Sequence, residues 1–372
     1  MRLLVCAGGT GGGIYPALTA VTELLHRGLR KEDVLWVGTA GEMEETLVPR
    51  AGLTLTTIRG GAIAGVPLHV KVLNAAKLAW SLIPSWRILR QFRPNVMLMT
   101  GGYMSVPVAL AARLRRVPIV IFLPDVEPGA AIKAVMPLAT KIACTSPDSS
   151  QYVPVAKMAV TGYPLRHELQ QALHMSRVAA LAQFDLQPGR PTLLVFGGSR
   201  GSQAINRALM AALPQLLTTM QIIHISGTFT WPEVEANLAT LSAEQRAFYR
   251  AYPYLHEEMG AALRAADLMV TRSGASVMGE APAFGLPAIL VPLTWAWRYQ
   301  KVNADFLTKQ GAAVQLTDET LAAKLATTVQ ELLHDEVKMV AMKTAVQALH
   351  TPEATAKLAE VITTTGQGAG LS

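Results

Sequence analysis

The sequence predicts an α/β protein of two doubly wound, Rossmann-like domains facing a central cleft. Three observations carry that expectation. The chain has 372 residues, more than one ordinary core fills and enough for two domains of about 150–200 residues. Short apolar runs alternate with helix-period segments, which is how a parallel sheet covered by helices reads in sequence. The pattern strand, Gly-Gly-Thr/Ser-x-Gly, helix occurs twice, at Gly8–Gly12 and Gly197–Gly201. Hydrophobic residues make up 51% of the chain and charged residues 16%, which excludes disorder over most of it.

In the first domain, 1–163, Leu3–Ala7 reads as a strand. A glycine loop and a helix from Pro16 to about His26 follow, with Pro16 suited to the first helical turn. Val34–Val37 and Leu53–Ile58 are strands. Leu68–Phe92 reads as a helix with a kink at Pro84. Val96–Met99, Pro118–Phe122, Ile142–Cys144 and Met158–Thr161 complete the strands. The connection Gly162–Pro191 carries a helix near Leu169–Leu181. In the second domain, 164–372, Thr192–Phe196, Gln221–Ile225, Leu268–Thr271 and Ala288–Val291 are strands. Helices are expected from Gln203, at Glu257–Ala265, Ser276–Phe284 and Arg298–Gln310, and from Asp318 onward, the last packing back on the first domain. The tail Thr363–Ser372 is polar and glycine-rich and is expected to fray.

Charge is unevenly placed. Residues 1–165 carry 17 Lys and Arg against nine Asp and Glu, a net of +8, while the remainder nets −1. No acidic residue lies between Glu45 and Asp125, yet ten basic ones do, Arg59, Lys71, Arg87 and Arg113 among them. In Leu68–Phe92 these cations mix with Trp80, Trp86, Leu82, Ile83 and Leu89, the composition of an interfacial helix. An anionic membrane surface is therefore favoured over a plain solvated face, and nucleic acid comes last. The apolar start stops at Gly8, too short for a secretory signal, and no run of about 18 apolar residues suggests a spanning helix. Cys6 and Cys144 sit in apolar runs and read as small buried hydrophobes in a reducing compartment.

Three clusters suit an anion. Gly8-Gly9-Thr10-Gly11-Gly12-Gly13 precedes a helix, and glycines let backbone approach a phosphate at the helix's positive end. Gly197-Gly198-Ser199-Arg200-Gly201 repeats the arrangement with a hydroxyl on Ser199. Thr271-Arg272-Ser273-Gly274-Ala275-Ser276-Val277-Met278-Gly279-Glu280 follows a strand and opens a third helix, with Glu280 able to accept from a ribose diol. Each also fits a blander description: a tight turn, an N-cap serine, a carboxylate near a helix dipole. The dinucleotide fingerprint fails because Ile14 stands where a third glycine is needed, and no Walker pattern exists. NAD and ATP are thereby demoted. There is no Asp-x-Asp, and the eight histidines lack metal-ligand spacing. No metal and no cofactor are expected.

Taken together and in order, these clusters resemble the MurG family of bacterial cell-wall N-acetylglucosaminyltransferases. The likeness runs through Ala7–Gly12 with Pro16-Ala17-Leu18, Gly38-Thr39-Ala40, Met43-Glu44, Leu47-Val48-Pro49, Gly101-Gly102-Tyr103 and Gly162 with Pro164 and Arg166. It continues through Gly197-Gly198-Ser199, Asn206, Arg272-Ser273-Gly274-Ala275, Glu280, Gly285-Leu286-Pro287, Gln300 and Asn303-Ala304. The resemblance implies a GT-B fold, UDP-GlcNAc as donor, and an undecaprenyl-pyrophosphoryl-MurNAc-pentapeptide acceptor at the cytoplasmic face of the cell membrane, where the protein is peripheral. It implies donor contacts at Thr10, Gly11, Gly12, Asp125, Arg166, Ser199, Ala275, Ser276, Val277, Met278, Gly279, Glu280 and Gln300. His256 takes the uracil-facing position, where the family usually has an aliphatic residue. Helix dipoles and Arg166 would then stabilise the leaving UDP without a metal.

Three positions depart from the family. Gly13 stands where the family has a histidine after its first Gly-Thr-Gly-Gly. Phe122-Leu123-Pro124-Asp125 replaces His-Glu-Gln-Asn after the fifth strand. Of a Gln pair only Gln300 remains, beside Tyr299. An inverting single displacement needs a group to take the acceptor's proton. Asp125 and Glu127, the carboxylates of the acceptor-side loop, are the candidates. Rival readings are a related transferase with another acceptor, a UDP-sugar-binding paralogue without turnover, and a UDP-sugar epimerase.

Overall fold

A computed structural model describes residues 1–8, 11–58, 77–198, 200–293 and 298–368, apart from the Arg298 side chain. The chain forms two compact units, one of Met1–Arg166 with Thr351–Ser372 and one of His167–His350.

In unit 1 the strands are β1 (Leu3–Cys6), β2 (Val34–Thr39), β3 (Thr54–Ile58), β4 (Val96–Met99), β5 (Ile119–Leu123), β6 (Lys141–Cys144) and β7 (Met158–Val160). They make one parallel sheet in the order β3-β2-β1-β4-β5-β6-β7. Every residue of β1, β4 and β5 is buried, as continuous apolar strands covered by helices on both faces must be. The edge strand β3, rich in threonine, is only partly covered. The helices are α1 (Gly11–His26), α2 (Glu44–Arg50), α3 (Leu82–Phe92), α4 (Ser105–Leu114) and α5 (Ala130–Val135).

Unit 2 repeats the architecture. Its strands are β8 (Thr192–Phe196), β9 (Gln221–Ile225), β10 (Tyr249–Tyr252), β11 (Leu268–Thr271), β12 (Ala288–Leu290) and β13 (Ala313–Gln315), parallel in the order β10-β9-β8-β11-β12-β13. Its helices are α6 (His167–Ala172), α7 (Arg177–Ala182), α8 (Gln203–Leu216), α9 (Trp231–Leu238), α10 (Ala243–Ala247), α11 (Met259–Ala265), α12 (Val277–Phe284), α13 (Arg298–Lys309), α14 (Asp318–His334) and α15 (Glu336–Gln347). The last helix, α16 (Ala354–Gly368), belongs to unit 1 and packs on α1. Both sheets are doubly wound, so the expected α/β class with two Rossmann-like domains holds.

Several elements differ from expectation. α1 begins at Gly11, which leaves Pro16 inside the helix rather than in its first turn. The helix expected over 68–92 is described only from Lys77, and it is interrupted at Ser81, one turn before Pro84. Pro84 lies in the first turn of α3, where its missing N–H would have served the carbonyl of Trp80. The single helix expected near Leu169–Leu181 is two, because the Ser176 hydroxyl accepts from the Ala179 N–H and starts α7 afresh. Strands β10 and β13 were not anticipated. Both are short sheet edges, and Arg250 interrupts the apolar run of β10. The tail does not fray up to Gly368. Ile362 is buried, Thr363 and Thr364 bond carbonyls one turn back, and an added Cβ at Gly366 would meet Met1 and Val96.

Candidate active site

In each sheet the strand order reverses once, between β1 and β4 and between β8 and β11. The carboxyl ends of strands at such a switch point form the crevice where α/β proteins hold ligands. The glycine clusters singled out in the sequence fall at these two places.

At the β1/β4 point of unit 1, Gly8 precedes α1 and Thr100-Gly101-Gly102 follows β4. An added Cβ at Gly102 would lie 3.6 Å from the Gly8 carbonyl oxygen, so the two loops lie close together. Glu44, fully buried, accepts from the Thr39 N–H at 2.8 Å, and its carboxylate sits directly against Gly8, where no side chain would fit. Gly13 faces Thr100. A Cβ at position 13 would come within 2.9 Å of Thr100 Oγ1, a buried hydroxyl with no hydrogen-bond partner among the described residues. Position 13 is therefore not an empty slot awaiting a side chain. The Gly12 carbonyl accepts from Tyr163 Oη at 3.2 Å, and Tyr163 stands edge-on to Phe122 with ring centres 6.1 Å apart. Arg166 lies over the Tyr15 ring at 5.0 Å, and the same ring comes 3.0 Å from where a Cβ of Gly11 would stand. Gly11, Gly12, Gly13 and Arg166 thus share one neighbourhood, while Thr10 lies outside the described residues.

The carboxylates separate. β5 includes Phe122, as the strand Pro118–Phe122 implied, and continues through Leu123, both apolar enough to stay in the sheet. Asp125 is half-buried in the loop beyond. Glu127 is not solvated, as a loop residue would be expected to be. It is buried, with Oε1 paired to Lys133 Nζ at 2.7 Å.

At the β8/β11 point of unit 2, the loop after β8 starts α8, with Ser202 as N-cap. Ser199, for which capping was one reading, lies outside the described residues. Gly201 and Gly227 both have positive φ and approach so closely that neither tolerates a side chain. This seats the loop after β9 on the loop after β8. Arg272, only 8% exposed, ties the remaining loops together. It donates to Ser202 Oγ at 2.7 Å, to the Val291 carbonyl at 3.0 Å and to Asp318 Oδ1 at 2.8 Å. Ala275 and Ser276 lead half-buried into α12, where Val277, Met278, Gly279 and Glu280 are buried. Gln300 Oε1 accepts from the Leu293 N–H at 3.1 Å, and its carbonyl accepts from Ser273 Oγ at 2.7 Å. His256 is exposed beyond β10, its ring 4.6 Å from Tyr254.

Sequence reasoning missed several supporting groups. His224 is buried on β9 between Tyr249 Oη at 2.6 Å and Asn206 Oδ1 at 3.0 Å, and burial holds its pKa down at about 3. Asn206 Nδ2 bonds the Ser226 carbonyl and Thr230 Oγ1, so this network pins the loop after β9. A histidine inside the run Gln-Ile-Ile-His-Ile was the available signal, but its partner Tyr249 lies on the strand that was not anticipated. Arg272 and Glu44 were quoted only as parts of motifs, and Thr100 and Tyr163 carried no signal. Cys6 and Cys144 are buried, and burial pushes the Cys144 thiol up to about 12.

The chain matches the glycosyltransferase family 28 N-terminal domain over residues 3–144 and the family 28 C-terminal domain over 192–360. It is 37% identical to the UDP-N-acetylglucosamine–N-acetylmuramyl-(pentapeptide) pyrophosphoryl-undecaprenol N-acetylglucosamine transferase of Roseiflexus sp. (strain RS-1), over 98% of this chain and 95% of that one. The protein of the same name from Moorella thermoacetica is 34% identical over 97% and 98%. Among solved structures, Acinetobacter baumannii MurG superposes with a TM-score of 0.74 at 24% identity, covering 98% of this chain and 99% of that one, and shares the fold.

Proposed function

This chain belongs to glycosyltransferase family 28, and from that premise we propose that it performs the reaction for which its relatives are named. It is a hexosyltransferase that moves GlcNAc from UDP-GlcNAc to the lipid-linked MurNAc-pentapeptide of peptidoglycan synthesis. The observation that carries this is likeness across 98% of the chain to relatives bearing that name.

The chemistry follows from the two switch points. In unit 2 the starts of α8 and α12 offer a diphosphate the positive ends of two helix dipoles. Glu280 is suited to the ribose and Gln300 to the sugar end, and His256 with Tyr254 gives a ring surface for uracil. In unit 1 the start of α1 and Arg166 offer a second set of donors to an anion. The acceptor hydroxyl attacks the anomeric carbon as UDP leaves from the opposite face, inverting the centre. Its proton goes to a base, and Asp125 is our assignment, because it is the less buried of the two carboxylates. Asp125→Asn is expected to lower kcat by about 100-fold or more and to leave UDP affinity intact, with Glu127→Gln milder. Unchanged turnover in both would remove this assignment.

For the acceptor we propose the cytoplasmic leaflet, met peripherally. Trp80 is 76% exposed, and on α3 and α4, which pack together, Ile83, Trp86, Leu110 and Leu114 are also exposed. Arg115 lies over the Trp86 ring at 5.2 Å. Among the described residues no helix is long and apolar enough to cross a membrane. Arg59 and Lys71, which entered the same expectation, lie outside the described residues.

The reading is tested by incubating the purified chain with labelled UDP-GlcNAc and the lipid-linked muramyl pentapeptide. Labelled lipid-linked disaccharide is expected. Donor left intact, or consumed with no label on lipid, would overturn it.

A further inference from the structure

The first turn of α1 is held from outside the helix. Pro16 is the sixth residue of α1. A proline inside a helix lacks the N–H that would bond the carbonyl four residues earlier, and its ring crowds that carbonyl. Here the carbonyl is that of Gly12. It is not left bare, because Tyr163 Oη donates to it at 3.2 Å. Tyr163 reaches it from the turn after β7, far away in sequence, and is itself buried at 7% exposure with its ring set edge-on against Phe122. The turn concerned consists of Gly11, Gly12 and Gly13, which have no side chains to pack and the largest backbone freedom to lose.

We propose that Tyr163 is a positioning residue. Its hydroxyl replaces the hydrogen bond that Pro16 deletes, and so fixes the N–H groups at the start of α1 in the orientation that receives an anionic substrate group. Tyr163 acts through the Gly12 carbonyl. The proposal rests on the reading of the β1/β4 switch point as a substrate site. A merely structural tyrosine would cost the same whatever residue stands at 16. A tyrosine that substitutes for the lost N–H becomes dispensable once that N–H is restored.

Four proteins make the test: the natural chain, Tyr163→Phe, Pro16→Ala, and the double variant, in which the alanine introduced at position 16 donates its N–H to the Gly12 carbonyl. Two quantities are read. One is hydrogen exchange of the amides in the first two turns of α1, which needs no turnover and so stands even if the transferase reading fails. The other is KM and kcat for GlcNAc transfer. Tyr163→Phe is expected to speed exchange at least tenfold and to raise KM for one of the two phosphorylated substrates about tenfold, with kcat changed less than threefold. In the Pro16→Ala background the same substitution should change both quantities less than twofold. Should Tyr163→Phe alone fail to fold, the double variant must fold, and its failure overturns the proposal. So does an equal effect in both backgrounds, unchanged exchange in Tyr163→Phe, or altered exchange with an unmoved KM.

Discussion

At the scale of single residues, the groups that organise the site are buried and polar. His224 is kept neutral by burial, with its pKa at about 3 against an ordinary 6.5. Its folded value is depressed, so below about pH 6.5 the unfolded chain takes up a proton that the folded chain refuses. Stability is complete above pH 6.5 and declines as pH falls from about 6.5 toward 3, by up to about 1.4 kcal/mol per pH unit. Between pH 7 and pH 5 the natural chain should lose about 2 kcal/mol more than His224→Gln, measured by urea unfolding of unit 2. Equal losses would mean that His224 is not held neutral. Gly13 and Thr100 show why a residue-level departure can be opaque in sequence. The glycine reads as a deleted side chain, but the space is met by a threonine 87 positions away in sequence, and nothing local announces the pairing.

At the scale of elements, loops at the carboxyl ends of strands carry the candidate site, and in unit 2 Arg272 ties its own loop to three others. Its guanidinium is buried against Asp318, Ser202 and the Val291 carbonyl. Removing one partner of a buried ion pair destabilises by about 3–5 kcal/mol, and the lower end applies here because Asp318 is 31% exposed. Arg272→Ala is therefore expected to lower the stability of unit 2 by roughly 3 kcal/mol and to weaken UDP binding at least tenfold by titration. An unchanged UDP affinity would deny Arg272 its organising part. The elements themselves were largely legible, because fully buried parallel strands read as uninterrupted apolar runs. The exceptions have physical causes. β10 and β13 are edges that bury little and so need no apolar run. The start of α1 was placed at Pro16 because proline favours a first turn, whereas three glycines and an external hydroxyl allow the helix to begin five residues earlier. The α16 end was read as a polar tail, although its threonine hydroxyls turn inward to helix carbonyls.

At the scale of the whole molecule, charge is unevenly divided along the chain. The excess of cations lies in residues 1–165, in the same unit that exposes Trp80 and Trp86. Each cation near an anionic leaflet contributes about 1 kcal/mol, and buried tryptophan adds apolar area. Trp80→Ala with Trp86→Ala is expected to reduce flotation with phosphatidylglycerol vesicles at least tenfold while leaving UDP affinity unchanged. Undiminished flotation would deny Trp80 and Trp86 any part in membrane contact. Composition and motif order disclosed the fold, the family and the reaction class. The proposed choice of Asp125 over Glu127 did not show, because it depends on how deeply each loop carboxylate is buried, which is not written in the local sequence. The central claim is that helix starts and side-chain donors hold uridine diphosphate without a cation. Calorimetric titration of UDP into the natural chain in EDTA-containing buffer tests it most directly. One UDP bound per chain is the result this account requires, and absence of any binding heat across a range of temperatures would contradict it.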